Sequence, residues 1–363
     1  MRFKNQALVN KFKKFISSIT PKDRVAVIHH TDPDGVCSGV IIAKVVERAR
    51  GKKIDLQMNQ YHAAHRILPE TLKKLKSKKI NKVITTDLAT DEDHKAIKKL
   101  SKFADVLIID HHPLLYKNPP KNVLIIKSSM ISKIGHKYCA AKLCYDLGAQ
   151  VADISDLDWL AAVGSIGDIA TDPWKRWIQS VFKKYRIKMK KQLFDTRFGE
   201  VSKIISSAET FSPKNVKECF AVLYSAKSYK DVLKSRLSRF KKKIDAELDY
   251  YLKNLKKFAE VNGDLIYYEI KPKYNIKSPL STILGLKYPK KTVFVIDTTK
   301  NPVRISARSQ SKIKVNEILI KSMKGIKGAY GGGHAVSSGA VIPKKDFKKF
   351  KQRLFNILKK KRR

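Results

Sequence analysis

The sequence predicts an α/β protein made of two domains that are joined by a helical connector. Between Arg24 and about Val163, short runs of apolar, often β-branched residues alternate with segments of helical spacing, which is typical of a parallel sheet covered by helices. From about Pro173 to Lys257 glycine is rare, lysine and arginine are frequent, and apolar residues recur at helical intervals. Strand patterns return after Asn262 and are followed by a cluster of glycines, so we expect a second, smaller α/β domain.

The elements of the first domain can be placed in order along the chain. An amphipathic basic helix is predicted from about Phe3 to Ser18, ahead of the first strand. The predicted strands are Val25–Ile28, Val83–Thr86, Val106–Asp110 and Val123–Lys127. The first strand is followed by a predicted helix, Gly39–Ala49. We assign residues 1–172 to this domain.

The rest of the chain is divided by the same patterns. Residues 173–260 are assigned to the basic helical connector, in which the helical spacing is carried by Leu237, Phe240, Ile244, Leu248, Tyr251 and Leu255. Strands at Leu265–Ile270 and Val293–Asp297 and a final helix from about Lys345 to Leu358 define the second domain, 261–358. Residues 359–363 are expected to form a disordered basic tail.

The charge of the chain is strongly positive. The formal net charge is +45, from 77 Lys and Arg against 32 Asp and Glu. This excess favours a polyanionic partner such as nucleic acid, and it predicts binding that weakens as salt is added. Because the positive residues are spread along the whole chain, a lysine-rich composition without a binding role is the alternative.

The cysteines and the apolar runs indicate the cellular compartment. Cys37, Cys139, Cys144 and Cys219 form no Cys-x-x-Cys pair, and we expect reduced, buried thiols rather than a disulfide framework. The sequence has no apolar run of about 18 residues or more, and no secretory leader is recognised. We therefore expect a cytoplasmic protein without membrane contact.

Acidic and histidine residues follow several predicted strands, at the point where each strand ends. The clusters are His29, His30, Asp32 and Asp34 after the first strand, Asp87 after the second, Asp110, His111 and His112 after the third, and Asp168 in a later glycine-bearing turn. Each cluster alone would be explained as a helix cap or a turn. Because the carboxyl ends of parallel strands meet at one edge of a sheet, all four together predict a shared site.

The donor atoms of this site indicate its chemistry. Carboxylates and imidazoles without a thiolate suit manganese or magnesium better than structural zinc. Two such ions about 3.5–4 Å apart can clamp a phosphoryl group and activate water between them. We therefore expect two Mn²⁺ ions, with Mg²⁺ as the alternative.

The order and spacing of these motifs resemble those of the DHH phosphoesterase superfamily. Its members include RecJ-type exonucleases, nanoRNases, cyclic-dinucleotide phosphodiesterases and one class of inorganic pyrophosphatases. Further along the chain, the run Gly331, Gly332, Gly333 and His334, with Ser337, Ser338 and Gly339, resembles the glycine-rich signature of the DHHA1 domain. The resemblance covers most of the chain. It implies an N-terminal parallel-sheet DHH domain, a smaller C-terminal α/β DHHA1 domain, and an active site in the cleft between them.

The resemblance also implies a role for each matching residue of the first domain. His30, Asp32 and Asp87 would hold one metal ion, and Asp34, Asp87, His111 and Asp168 would hold the other, so that Asp87 is shared. His112 would face the scissile phosphate as a catalytic residue, and Asp110 would orient an imidazole from behind the metal site. His29 is the alternative to His30.

In the second domain the implied roles concern substrate binding. Gly331, Gly332 and Gly333 would let backbone N–H groups approach an anion or a base, with His334 placed to contact a phosphate; a flexible loop is the alternative. Arg308 resembles the arginine that this domain offers to the nucleic-acid backbone, and a guanidinium suits bidentate phosphate contact. An ordinary surface arginine is the alternative here.

Three hypotheses about function follow. The leading one is a manganese-dependent phosphodiesterase that hydrolyses single-stranded DNA or RNA from an end, as RecJ-like exonucleases do. The second is the same chemistry on short substrates, namely oligoribonucleotides, a 3′-phosphoadenosine 5′-phosphate type nucleotide or cyclic dinucleotides, which the length of the sequence favours somewhat. The third is a non-catalytic replication or repair scaffold. The clustered carboxylates speak against a scaffold, because they repel one another when no cation is bound.

Overall fold

The predicted α/β class is confirmed, with one sheet in each part of the chain. The computed structural model describes residues 3–60, 67–311 and 313–360, and the chain divides into two compact units, Met1–Lys241 and Lys242–Arg363. The strands of the first unit are β1 (Val25–His30), β2 (Leu56–Gln60), β3 (Lys82–Thr86), β4 (Asp105–Asp110) and β5 (Val123–Lys127). They form a sheet of order β2-β1-β3-β4-β5 in which every pair is parallel.

Helices cover both faces of the first sheet. Val25, Val27 and Ile84 point into one apolar core, whereas Ala26 and Ile28 point into the other. Because both faces are buried, the strands read as continuous apolar runs rather than as alternating patterns. The helices are α1 (Gln6–Ser17), α2 (Pro33–Arg50), α3 (Pro69–Ser77), α4 (His94–Leu100), α5 (Ser128–Ile131), α6 (Ala140–Gly148), α7 (Asp158–Gly167), α8 (Lys175–Lys184), α9 (Arg197–Phe211), α10 (Val216–Ser225), α11 (Tyr229–Lys234) and α12 (Ser238–Lys253).

The segment 173–260 is largely helical, and the two units share it. Phe182, Phe198 and Val201 are buried in the same core cluster as the residues of α2 and α7, so helices α8 to α11 are part of the first unit. The boundary between the units falls inside α12, just after Lys241. The apolar residues that carry the helical spacing from Leu237 to Leu255 are all buried.

The second unit has a mixed sheet. Its strands are β6 (Glu260–Asn262), β7 (Leu265–Ile270), β8 (Thr292–Asp297), β9 (Val303–Ser309), β10 (Tyr330–His334) and β11 (Ser337–Ile342), and its remaining helices are α13 (Leu255–Phe258), α14 (Lys277–Lys287), α15 (Val315–Met323) and α16 (Phe347–Lys360). The sheet order is β10-β11-β9-β8-β7-β6, and only the β7–β8 pair is parallel. Helices α15 and α16 pack with one face of this sheet around Phe294, Ile305 and Phe350.

Three details differ from the sequence prediction. The helix expected from Gly39 begins earlier, at Pro33, because Asp32 caps it and proline is favoured at the first helical position. Strand β2 has no counterpart among the predicted strands. The basic tail was predicted to begin at residue 359, but α16 continues to Lys360, and residues 361–363 lie outside the described residues.

None of the helices in the described ranges combines the length and apolar composition needed to cross a bilayer.

Candidate metal centre

The carboxyl edge of the first sheet gathers the predicted ligands. Strand β1 ends at His30, strand β4 ends at Asp110, and Asp87 directly follows the strand between them, β3. Parallel strands place these ends side by side, which is where open α/β sheets bind ligands. The topology of the sheet therefore brings these side chains close together, as the sequence pattern predicts.

One group of potential ligands forms around His30. Its Nδ1 lies 3.1 Å from Asp32 Oδ1 and 3.4 Å from Asp87 Oδ2. The three side chains each offer one donor atom, and these atoms lie within 4.8 Å of one another. This spacing suits three ligands of one cation.

A second group forms around His111, on the other side of Asp87. His111 Nε2 lies 3.3 Å from Asp87 Oδ1, and its Nδ1 lies 3.7 Å from Asp168 Oδ2. Donor atoms of Asp34, His111 and Asp168 lie within 4.8 Å of one another. Asp87 thus directs one carboxylate oxygen to each group, which is the position that a bridging ligand requires.

Local backbone geometry fixes the acids of the first turn. Asp32 is the N-cap of α2, and its Oδ1 accepts a hydrogen bond of 2.8 Å from the Gly35 N–H. Only glycine fits at position 35, because a Cβ there would lie 2.4 Å from the Cβ of His30 and 2.6 Å from its carbonyl oxygen. The sequence Asp-Pro-Asp-Gly therefore builds a helix start that is pressed against the end of β1.

The remaining acids are also held by backbone groups. Both oxygens of Asp34 accept hydrogen bonds of 2.7 Å from the N–H groups of Ala140 and Ala141, at the start of α6. Asp87 adopts a left-handed backbone conformation with φ of 57°, which is uncommon outside glycine and is often found at functional sites. Asp168 is the C-cap of α7.

The two adjacent histidines occupy different environments. His29 Nδ1 lies 2.6 Å from the carbonyl oxygen of His30, its Nε2 lies 2.7 Å from Gln57 Nε2, and its ring stacks on Phe220. Burial lowers the pKa of His29 to about 4. His29 is thus a neutral side chain engaged away from Asp32 and Asp87, and His30 is the histidine that lies at the candidate centre.

Asp110 lies in a buried charge network behind the candidate centre. Its Oδ1 accepts from His112 Nδ1 at 2.7 Å, and its Oδ2 accepts from Lys127 Nζ at 2.5 Å. Lys127 also donates to Asp91 Oδ1 at 2.7 Å, and all three charged groups are fully buried. Asp110 therefore links His112 to the buried cation Lys127, which suits the orienting role that the resemblance implies.

Lys127 and Asp91 were missed by sequence reasoning. Asp91 Oδ2 also accepts from the N–H groups of Leu115 and Tyr116, at 2.7 and 3.3 Å, so it anchors the loop that follows His112. The available signal was the position of Lys127, which is the last residue of an otherwise apolar strand and therefore ends at the same edge of the sheet.

The electrostatics of the centre are those of crowded carboxylates. Burial and the nearby carboxylates of Asp87 and Asp32 raise the pKa of Asp168 to about 7, although His111 acts in the opposite direction. Burial opposes a charge on His30, but Asp32 and Asp87 outweigh it and raise the pKa of this histidine well above its usual range. Protons thus partly neutralise the acids in the protein without metal.

These residues fit a pair of hard divalent cations. The donors are carboxylate oxygens and imidazole nitrogens, the set that Mn²⁺ and Mg²⁺ accept. The four cysteines are buried, and burial raises the pKa of each thiol, so no thiolate competes for the site. A cation would also replace the protons that the crowded acids hold.

The glycine run of the second unit forms an edge strand rather than a loop. Gly331, Gly332 and Gly333 lie within β10, which is the edge strand beside β11 in the sheet that the described residues form. A Cβ at Gly331 or Gly333 would lie 2.5 Å from a carbonyl oxygen of β11. These two glycines are therefore required by the close approach of the neighbouring strand.

Arg308 lies on β9 and is largely enclosed by hydroxyl groups. Its guanidinium donates to Ser278, Thr282 and Ser306 at 3.2 to 3.3 Å, and to the carbonyl oxygen of Ala307 at 3.0 Å. Within the described residues no carboxylate lies within ion-pair distance of it, and burial lowers its pKa to about 10. Arg308 is thus a partly desolvated cation and not an ordinary surface arginine.

Models of two protein families match the chain, one in each unit. The model of the DHH family, N-terminal domain, matches residues 24–163, and the model of the DHHA1 domain matches residues 266–360. The chain thus contains a DHH N-terminal domain and a DHHA1 domain. The first match contains His30, Asp32, Asp34, Asp87 and the Asp110–His112 motif, and the second contains Arg308 and the glycine-rich strand.

Individual proteins are also similar to this chain. An uncharacterized protein of Methanocaldococcus jannaschii is 31% identical over 155 residues, a match that covers 41% of this chain and 34% of that protein. RecJ of Thermus thermophilus, solved in complex with Mn²⁺, aligns with a TM-score of 0.72 and 16% identity over 98% of this chain and 54% of RecJ. The pGpG-specific phosphodiesterase PggH of Vibrio aligns with a TM-score of 0.54 and 13% identity over 93% of this chain and 99% of PggH.

These similarities concern the fold of the DHH protein. At identities of 16% and 13% the solved structures show a shared fold, and the chain spans only about a third of the curated relative and about half of RecJ. Together with the family matches, they give this chain a DHH-family fold close to that of RecJ.

Proposed function

We propose that this DHH protein is a manganese-dependent phosphodiesterase that hydrolyses single-stranded nucleic acid from one end. The observation that carries the proposal is the pair of carboxylate–imidazole groups that share Asp87 at the carboxyl edge of the sheet. The first group consists of His30, Asp32 and Asp87. The second consists of Asp34, Asp87, His111 and Asp168.

Each part of the centre has a separate task in this proposal. Two bound cations would supply an activated water and neutralise charge on a phosphoryl group. The protein holds their ligands rigidly through the Asp32 cap, the Asp34 hydrogen bonds and the left-handed backbone at Asp87. His112 is oriented by Asp110 through Nδ1, so it would contact the scissile phosphate through Nε2.

The nature of the substrate is supported by charge and by the second unit. A net charge of +45 favours a polyanion. Arg308 is a desolvated cation without a carboxylate partner among the described residues, and the register places Ser337 and His334 beside it across the sheet. A phosphate backbone would provide the missing counter-charge. RecJ was itself crystallised with Mn²⁺, which supports manganese as the first cation to test.

Product analysis tests the proposal directly. End-labelled single-stranded DNA and RNA, beside a dinucleotide, are incubated with the protein and Mn²⁺. We expect stepwise release of mononucleotides, lost on addition of a chelator and lost in Asp87→Ala. The matched control is Asp105→Ala, which removes an acid from the opposite end of β4, where it pairs with Lys82.

Other outcomes would assign other functions. Cleavage of the dinucleotide alone would transfer the activity to short substrates, a class that includes the pGpG named for PggH. Failure to hydrolyse any substrate or to bind Mn²⁺ would overturn the proposal and favour a non-catalytic scaffold.

A further inference from the structure

One face of the second sheet carries three rows of residues that cross β9, β11 and β10. Alternate residues of a strand point to the same face, and directly paired residues lie side by side on it. The register defines a basic row (Arg308, Ser337, His334), a glycine row (Ser306, Gly339, Gly332) and a tyrosine row (Arg304, Val341, Tyr330). Adjacent rows are two residues apart along a strand, or roughly 7 Å.

The glycine row forms an open floor between the other two rows. A Cβ built on Gly332 would meet no atom within 4 Å, and the nearest atom to one on Gly339 is a carbonyl oxygen at 3.4 Å. Neither position is closed by neighbouring atoms, so the absence of side chains here leaves a shallow trough. Unlike Gly331 and Gly333, Gly332 is not required by strand packing.

Tyr330 borders this trough and is unusually exposed. It is 60% exposed, the largest value among the exposed large apolar or aromatic residues of the described chain. Helix α14 covers the neighbouring part of the same face. There the hydroxyl groups of Ser281 and Ser306 are hydrogen-bonded, and Arg308 Nε donates a hydrogen bond to Thr282 Oγ1. The β10 end of the face therefore presents three features in order. These are the aromatic ring of Tyr330, the glycine row without large side chains, and the basic row, which is two rows from Tyr330.

We propose that Tyr330 stacks on a nucleobase of the substrate, with the sugar over Gly332 and Gly339 and the phosphate at the basic row. The inference rests on the proposed function in taking nucleic acid as the ligand. Aromatic side chains stack on every kind of base and so give affinity without sequence preference. The basic row alone would bind any polyphosphate. Tyr330 would therefore be the residue that favours polyanions with nucleobases.

The test measures binding rather than hydrolysis and uses the full chain in the presence of a chelator. The ligands are a short fluorescent single-stranded oligodeoxynucleotide and an abasic strand of the same length, which keeps the phosphates but has no bases. The variants are Tyr330→Ala and Tyr330→Phe. The matched control is Tyr250→Ala, since Tyr250 is a second exposed tyrosine of the same unit, at 53% exposure.

We expect Tyr330→Ala to weaken binding of the normal strand by about 5- to 150-fold, the range for loss of one base–aromatic stack, and to leave the abasic strand unchanged. Tyr330→Phe and Tyr250→Ala should bind both strands as the wild type does. Equal weakening for both strands, no weakening for either, or no binding by the wild type would overturn the inference. Loss of hydrolysis in manganese with this binding pattern intact would overturn the proposed function instead and leave the stacking role standing.

Discussion

At the scale of single residues, the neighbouring histidines provide an internal comparison. His30→Ala should weaken Mn²⁺ binding by more than the roughly 10–100-fold that loss of an outer partner costs, because it removes a donor beside Asp32 and Asp87. His29→Ala should instead lower the free energy of unfolding by about 1–3 kcal/mol, since it breaks the contacts with Gln57 and Phe220. Calorimetric metal titration and urea unfolding measure both effects. Equal loss of metal affinity in the two variants would contradict the assignment of His30.

Lys127 gives a second prediction at this scale. Lys127→Met leaves Asp91 and Asp110 buried without their cation, and loss of one partner of a buried pair costs about 3–5 kcal/mol. Lys127→Met combined with Asp91→Asn removes one charge of each sign and should regain much of this stability. The double variant should still lose about 10–100-fold in kcat, with Mn²⁺ affinity unchanged, because Asp110 would no longer be fixed for His112. Full kcat in a stable double variant would make Lys127 purely structural.

The contrast between these residues shows what a sequence reveals about a site. His30, Asp87 and His111 follow apolar runs, so the position of each at a strand end could be predicted from the pattern. Lys127 ends an apolar strand, but it lies 36 residues from Asp91, and nothing local connects the two. Their pairing depends on the order in which the strands assemble, which the local pattern does not contain.

At the scale of elements, the start of α2 determines the geometry of the centre. The motif from Asp32 to Gly35 was interpreted as a turn, and the structure extends the helix back to Pro33. The local signals for this start were present, an aspartate at the N-cap and a proline at the first helical position, but the contact of the helix start with the end of β1 is tertiary and is not contained in the local pattern. The carboxylate of Asp34 is positioned by α6, which is far away in sequence.

The close packing at this helix start leads to a prediction for Gly35→Ala. The added methyl group would overlap His30 at 2.4 Å, so α2 must move away from β1 and carry Asp32 and Asp34 with it. We expect a loss of Mn²⁺ affinity and activity of about 10-fold or more, as for other changes that displace ligands. The control is Gly148→Ala, whose methyl group would meet Val45 at 2.5 Å, away from the ligands. It should lower the thermal unfolding temperature without changing metal affinity.

At the scale of the whole molecule, the basic segment after residue 172 is divided between the two units. Its composition suggested a connector, because lysine-rich helices often lie on the surface. Many of its apolar residues are nevertheless buried, and Glu209 of α9 accepts a hydrogen bond of 2.5 Å from Thr31, between His30 and Asp32. Composition describes the exposed face of these helices, whereas the spacing of apolar residues describes the face that packs.

Truncation of the chain tests whether the helices after residue 172 are a connector or part of the first core. A chain ending at residue 172 lacks α8 to α11, and with them Phe182, Phe198 and Val201 of the first core. Each such side chain contributes about 1.5–3 kcal/mol when buried, so a handful of them equals the whole stability of a typical domain, about 5–15 kcal/mol. Residues 1–172 should therefore fail to fold, whereas residues 1–241 should unfold cooperatively and bind Mn²⁺ like the full chain, because every candidate ligand lies within them. Circular dichroism during heating and calorimetric titration check both chains. A folded, metal-binding 1–172 fragment would show instead that these helices are dispensable for the first domain and that the segment is a connector after all.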